Sequence, residues 1–227
     1  MRPLLSARTR DLIELLVGYG LILAVIWTPN PEQRVLYWIA WGWIAVTSIL
    51  RRKESRPYGF GVKGFLPSLW IAGVAIVLFF LGLWIASRLG TLHNLYGPLP
   101  VSVHIAEYAL WALMQQFILQ VYVLLRLLRI GLPRWLAIAL AAILFAAAHV
   151  PNPLLVPVTL FWGAVSCLLY LRYRNLYSLA LAHGILGMCL AVTVPNAVHH
   201  HLRVGLGYLE YHPHRRHPRF PTPFSLR

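Results

Sequence analysis

The sequence predicts an all-α fold, a polytopic transmembrane bundle of about seven helices. Three observations carry this. Of 227 residues, 59% are hydrophobic and only 11% charged, with a mean hydropathy of +0.66, more apolar than a soluble domain of this size normally is. Apolar runs of about 18 residues or more, each long enough to cross a bilayer, recur along the chain. The basic residues sit mostly in the short segments between those runs.

The runs lie at 12–29, 35–50, 66–87, 101–125, 134–149, 154–171 and 175–195, the second and fifth being short. The first follows MRPLLSARTRD. No small-residue cleavage site closes it and more spans follow, so it reads as a retained helix and not a signal peptide. Placing successive connections on alternate sides puts 13 Lys and Arg in 1–11, 51–65, 126–134 and 172–174, against 7 in 30–34, 88–100, 150–153 and 196–227. Five of those 7 belong to the C-terminal segment. Basic residues mark the cytoplasmic side, so the N-terminus is expected in the cytoplasm and, with an odd number of spans, the C-terminus outside. The net charge of +14 is then a matter of topology, and no nucleic-acid partner is expected.

The segment RRKESRPYGFGVKG (51–64) reads as a charged, interfacial, topology-fixing loop. Residues 1–198 read as the transmembrane domain. Residues 199–227, rich in His, Pro and Arg and without periodicity, read as a disordered tail. His199, His200 and His201 adjoin the last span, but three adjacent histidines cannot converge on one ion from a helix. Cys167 and Cys189 fall inside spans at no metal-ligand or redox spacing and read as small apolar fillers. The chain has no internal repeat.

In hydrocarbon a polar side chain needs a partner, and it marks either helix packing or function. The fourth span holds His104, Glu107, Gln115, Gln116 and Gln120, the fifth ends in FAAAHVPNP with His149, and the seventh carries His183 in LAHGILG. Phe145 and His149 are four apart and share a face, with Ala146, Ala147 and Ala148 between them to admit a close neighbour. His183 and Gly187 are also four apart, beside Gly184. Gln116 and Gln120 form a third such pair. Glu107 lies two turns before Gln115, rotated by about 80° and displaced by about 12 Å. Two readings follow: polar glue between helices, or a small wet cavity in which an imidazole holds water or donates to a developing oxyanion.

These residues resemble the motifs of the CPBP family, the CAAX-protease and bacteriocin-processing membrane proteins also called the Abi family. The resemblance covers about residues 100–192. Phe145 and His149 match the family's Phe-x-x-x-His motif. His183 matches the His of a later motif whose amide or acid, four residues on, is here Gly187. Gln115, Gln116 and Gln120 stand where the family has a Glu-Glu pair and, further on, an Arg. The resemblance implies an intramembrane endopeptidase, in which a glutamate and His149 activate a water while the second His and the amide support the oxyanion. It also implies a peptide or membrane-anchored protein as substrate, the lipid bilayer as medium and no cofactor. The location that goes with it is integral to a membrane, a bacterial plasma membrane, with the N-terminus cytoplasmic.

The expected site is therefore His149, His183, Glu107, Gln115 and Gln116. A Gln can position a water but cannot take its proton, so the base must come from elsewhere. Glu107, the one acid in any span after the first, is a candidate base; otherwise it partners His104, Arg126 or headgroup-level solvent. His149 is another, since an unperturbed imidazole titrates at about 6.5. Glu107, His149 and His183 also have the ligand types of a metal triad. The alternative function is a catalytically inactive relative that binds a membrane partner in immunity or sorting; a small transporter would want more charge along its path.

Overall fold

The Ser6 hydroxyl accepts from Thr9 N (3.1 Å) and opens α1, Ala7–Trp27. The computed structural model describes residues 6–52, 58–93 and 101–212. The charged stretch 53–57, residues 213–227 and the side chain of His104 lie outside the described residues. Helix α2 is Glu32–Leu50, and α3, Phe65–Leu89, closes on Gly90 at φ +68°. Helix α4, Val101–Gln116, continues into a π-helical stretch, Phe117–Leu124, and then α5, Leu125–Ile130. Gly131, at φ +102°, ends that long rod, a conformation that costs glycine nothing. Then follow α6 (Arg134–Ala147), α7 (Leu155–Tyr173) and α8 (Leu176–Thr193), which Asn175 caps by accepting from Ser178 N. Among the described residues no strand forms.

The inside and outside are those of a membrane protein. Helix α3 exposes Leu66, Trp70, Val77, Phe80, Trp84 and Leu89, whereas Gln116, Gln120, Arg126, Asn175, Ser166 and Ser178 are wholly or almost wholly buried. Apolar surface outward and paired polar groups inward is the arrangement a lipid solvent favours. Four helices are long and apolar enough to cross a membrane: Phe65–Leu89, Ile105–Ile130, Leu155–Tyr173 and Leu176–Thr193. Arg134–Ala147 is apolar but shorter. The remaining two of the seven expected spans, α1 and α2, are helical over the expected stretches; α1 carries Arg8, Arg10, Asp11 and Glu14, and α2 begins with Glu32 and Arg34. Packing pairs α3 with α8, α6 with α7, α4 with α8, and α1 with both α2 and α5.

The connections expected on one side gather at one end of the bundle. There the Arg8 guanidinium lies against Gly131, Asn175 Nδ2 donates to Gly61 O (2.9 Å), and Tyr58 OH donates to Ser48 O (2.6 Å). At the opposite end Gly205 N donates to Val150 O (2.8 Å), and Asn152 Nδ2 donates to His199 O (3.0 Å) and Arg203 O (2.9 Å).

Those last contacts correct the reading of 199–227 as a disordered tail, for its first part. Residues 196–212 fold into α9 (Asn196–His199), a 3-10 turn (His200–Leu202) and α10 (Gly205–Leu209). Side-chain pairings hold this segment, which composition does not report. His199 Nε2 donates to Val194 O (2.7 Å) while its Nδ1 accepts from Leu202 N (3.0 Å), and the His200 ring stacks on Tyr208 and Tyr211. Burial holds the His199 imidazole below its usual range, in keeping with a neutral ring whose two nitrogens are both occupied.

Candidate active site

A partly open cavity of about 280 Å³ is walled by α1, α2, α4, the π-helical stretch, α6, α7 and α8. Its lining is mostly apolar. The polar groups on it include Gln115 from α4, His149 from the turn after α6, His183 from α8, and Thr159 and Trp162 from α7. Leu202 and Val204, from the C-terminal segment, also line it.

Each polar residue is placed by a local feature. His149 follows the end of α6, and its Nδ1 bonds the carbonyl of Phe145 (2.7 Å), the partner at the predicted four-residue spacing. A carbonyl only accepts, so Nδ1 carries the proton and Nε2 holds the lone pair. The Phe145 ring packs edge-on against both His149 (centroids 4.9 Å apart) and His183 (6.0 Å) and so joins the two. Helix α7 packs closely on α6: a side chain on Gly163 would meet the Ala142 Cα at 3.1 Å and the Phe145 ring at 3.3 Å. Gly184 in turn packs on Ala109 and Ala112 of α4, bringing His183 up to Gln116. Gln116 Nε2 and His183 Nδ1 are 3.1 Å apart, and Gln120 Nε2 donates to Gln116 Oε1 (3.1 Å).

Of the expected site residues, the fold brings together His149, His183 and Gln115 on the cavity, with the Gln116 side chain behind His183. It does not bring Glu107 there: that side chain is exposed and forms no part of the lining. Nor does it assemble the Glu107, His149 and His183 triad. Among the described residues no three His, Cys, Asp or Glu side chains converge as a metal-ligand set.

Tyr108, Trp162, Thr159 and Ser166 were not expected at or behind the site. Tyr108 is the most informative, because its ring fills the space beside Gly187. A Cβ built on Gly187 would lie 2.8 Å from Tyr108 Cε1. The sequence signal was present: a glycine where an amide is usual, and an aromatic one residue after the conspicuous Glu107. An amide at 187 therefore needs the ring to move. We expect Gly187→Asn to destabilise the protein by about 1–3 kcal/mol through overpacking, and Tyr108→Ala in the same chain to recover part of that loss. Thermal unfolding of the two variants in detergent checks both.

Residues 97–189 match the family model for type II CAAX prenyl endopeptidase Rce1-like proteins. The matched segment takes in α4 and reaches nearly to the end of α8, and it includes every polar group named on the cavity. No curated protein and no solved structure matches the chain.

Proposed function

We propose, from the membership in the CPBP/CAAX protease family that this match supports, that the chain is an intramembrane endopeptidase. Its substrate would be a membrane-associated or exported protein, cut near the bilayer surface. A bacterial plasma membrane belongs to the same proposal through the family resemblance, and the cytoplasmic N-terminus rests on the basic loops.

One observation carries the chemistry: His149, its Nδ1–H held by the Phe145 carbonyl, keeps its lone pair at Nε2 on a ring that lines a cavity shared with His183 and Gln115. In the proposed step Gln115 orients a water and His149 Nε2 removes one of its protons. The water oxygen bonds to the peptide carbonyl carbon, and the carbonyl electron pair moves onto its oxygen. His183 donates a hydrogen bond to that oxyanion. Collapse of the intermediate breaks the C–N bond, and the proton held on His149 passes to the departing nitrogen. Glu107 has no part in this step.

The experiment is reconstitution of the whole chain in liposomes with membrane-anchored peptides, the products read by mass spectrometry. Wild type and Glu107→Gln are expected to cut alike. A Glu107→Gln variant that loses cleavage while remaining folded would return the base to that carboxylate. A wild type that binds the peptides and cuts none would leave the non-catalytic binding role in its place.

A further inference from the structure

Behind His183 lies a row of buried hydrogen-bonding groups that the cleavage step leaves unused. Gln116 and Gln120 are both 0% exposed, and so is Ser166 on α7. From the cavity inward the contacts are His183 Nδ1 to Gln116 Nε2 (3.1 Å), Gln116 Oε1 to Gln120 Nε2 (3.1 Å), Gln120 Nε2 to Ser166 Oγ (3.1 Å) and Ser166 Oγ to the Gly163 carbonyl (3.2 Å). Three helices contribute to one line.

The far end of that line fixes its direction. A backbone carbonyl only accepts, so the Ser166 hydroxyl proton points at Gly163. The Ser166 oxygen is then left to accept, and it takes one proton of the Gln120 amide nitrogen. The second proton of that nitrogen goes to the Gln116 carbonyl. Gln116 must therefore present its own amide nitrogen to His183, whose Nδ1 can only be the bare, accepting nitrogen. Running the line backwards would pull the Ser166 proton off Gly163 and turn both N–H groups of a wholly buried Gln120 away from the two acceptors they now have, the Ser166 oxygen and the Gln116 carbonyl. The forward order leaves a single carbonyl oxygen, Gln120 Oε1, without a partner, and under-satisfied carbonyls are the more readily tolerated of the two.

We infer that Ser166, Gln120 and Gln116 are positioning residues, a one-way hydrogen-bond relay that holds His183 as its Nε2–H tautomer. The two cavity histidines are thereby locked in opposite senses. His149 bonds through Nδ1–H and offers a lone pair, while His183 is bonded at a bare Nδ1 and offers a proton. Both rings line the cavity. An acceptor and a donor held apart in this way suit a water to be deprotonated and an oxygen that gains charge. This use rests on the proposed peptidase reading, but the tautomers do not.

The test therefore needs no substrate. The full chain, labelled with 15N at histidine and placed in lipid nanodiscs, reports whether each ring nitrogen is bare (imine-type resonance) or protonated (pyrrole-type). Wild type is expected to show His183 bare at Nδ1 and protonated at Nε2, with His149 the reverse. Gln116→Met removes the donor, and Gln120→Leu frees the Gln116 amide to turn. Both are expected to convert His183 to a mixture of tautomers while the His149 signals stay fixed and certify the fold. A wild-type His183 protonated at Nδ1 overturns the relay's direction. Variants that keep a single Nε2–H signature overturn its hold on the ring. Cleavage assays stand apart: an uncut substrate with the expected 15N pattern counts against the peptidase reading and leaves the relay standing.

Discussion

His149→Ala is expected to lower the rate of the proposed peptide cleavage by about 10²–10⁴-fold, the range spanned by loss of a positioned general base. The expectation follows from position and from the absence of a substitute. Among the described residues on the cavity wall there is no carboxylate, and Gln115, the amide contributed by α4, cannot accept a proton. The effect should fall on kcat, since His149 acts on the water and not on the bound peptide. His183→Ala removes the oxyanion donor and is expected to cost about 10²–10³-fold. The double variant should be little worse than the more damaging single one, because groups that act on one transition state fail together. Initial rates over a range of anchored-peptide concentrations in liposomes give all three numbers. If His149→Ala cleaves at the wild-type rate, the imidazole is not the base.

Much of this could be read from residue order. The helix runs, the grouping of basic connections at one end, and the Phe145 and His149 pair all follow from spacing that a helix imposes, and the Gln116 and Gln120 contact follows likewise. What the sequence withheld depends on neighbours from distant segments. Ser166, in GAVSCLLY, looks like a small residue at a helix contact, and only the approach of α7 to the π-helical stretch makes it the terminus of a polar line. The π-helical stretch after Gln116 has no local signature among apolar residues; there Leu125 N bonds Gln120 O, five residues back. Glu107 drew notice as a rare intramembrane acid, yet its place on α4 turns it outward. The ordered segment 196–212 was hidden because its His and Pro content resembles that of unstructured chain, whereas its order comes from Asn152 and from histidine ring contacts.

The charges of α1 and α5 repeat at a helical spacing. Asp11 and Glu14 are three apart on α1, Arg126 and Arg129 three apart on the antiparallel α5, and the structure joins them rung by rung. Arg129 Nη2 bonds Asp11 Oδ1 (2.9 Å), and Arg126 Nη2 bonds Glu14 Oε2 (3.3 Å). Glu14 also takes Arg51, the residue that caps the end of α2, on its other oxygen, through Nη2 (2.6 Å) and Nε (3.0 Å), so one carboxylate ties α1 to α5 and to the end of α2. Its backbone carbonyl accepts from Tyr122 OH and from Trp43 Nε1. The Arg126 guanidinium, 1% exposed, lies over the Tyr122 ring with Cζ 3.9 Å from the centroid.

Glu14→Ala is expected to destabilise the protein by about 3–5 kcal/mol, the cost of leaving a buried charge without its partner. The greater part of that loss belongs to Arg126, because Arg51 stands nearer the surface, with 15% of its side chain exposed against 1% for Arg126. The double variant Glu14→Ala with Arg126→Leu should accordingly be more stable than Glu14→Ala alone, since removing both members of a buried pair is far cheaper than removing one. A double-mutant cycle on thermal unfolding in detergent measures the coupling. Independent, additive losses would mean that the Arg126 charge is satisfied by the Tyr122 ring and carbonyl without Glu14. Coupling of the expected size would make this ladder the tie that sets α1 and α2 against the rod carrying Gln115 and Gln116, and hence the wall of the cavity that faces His149.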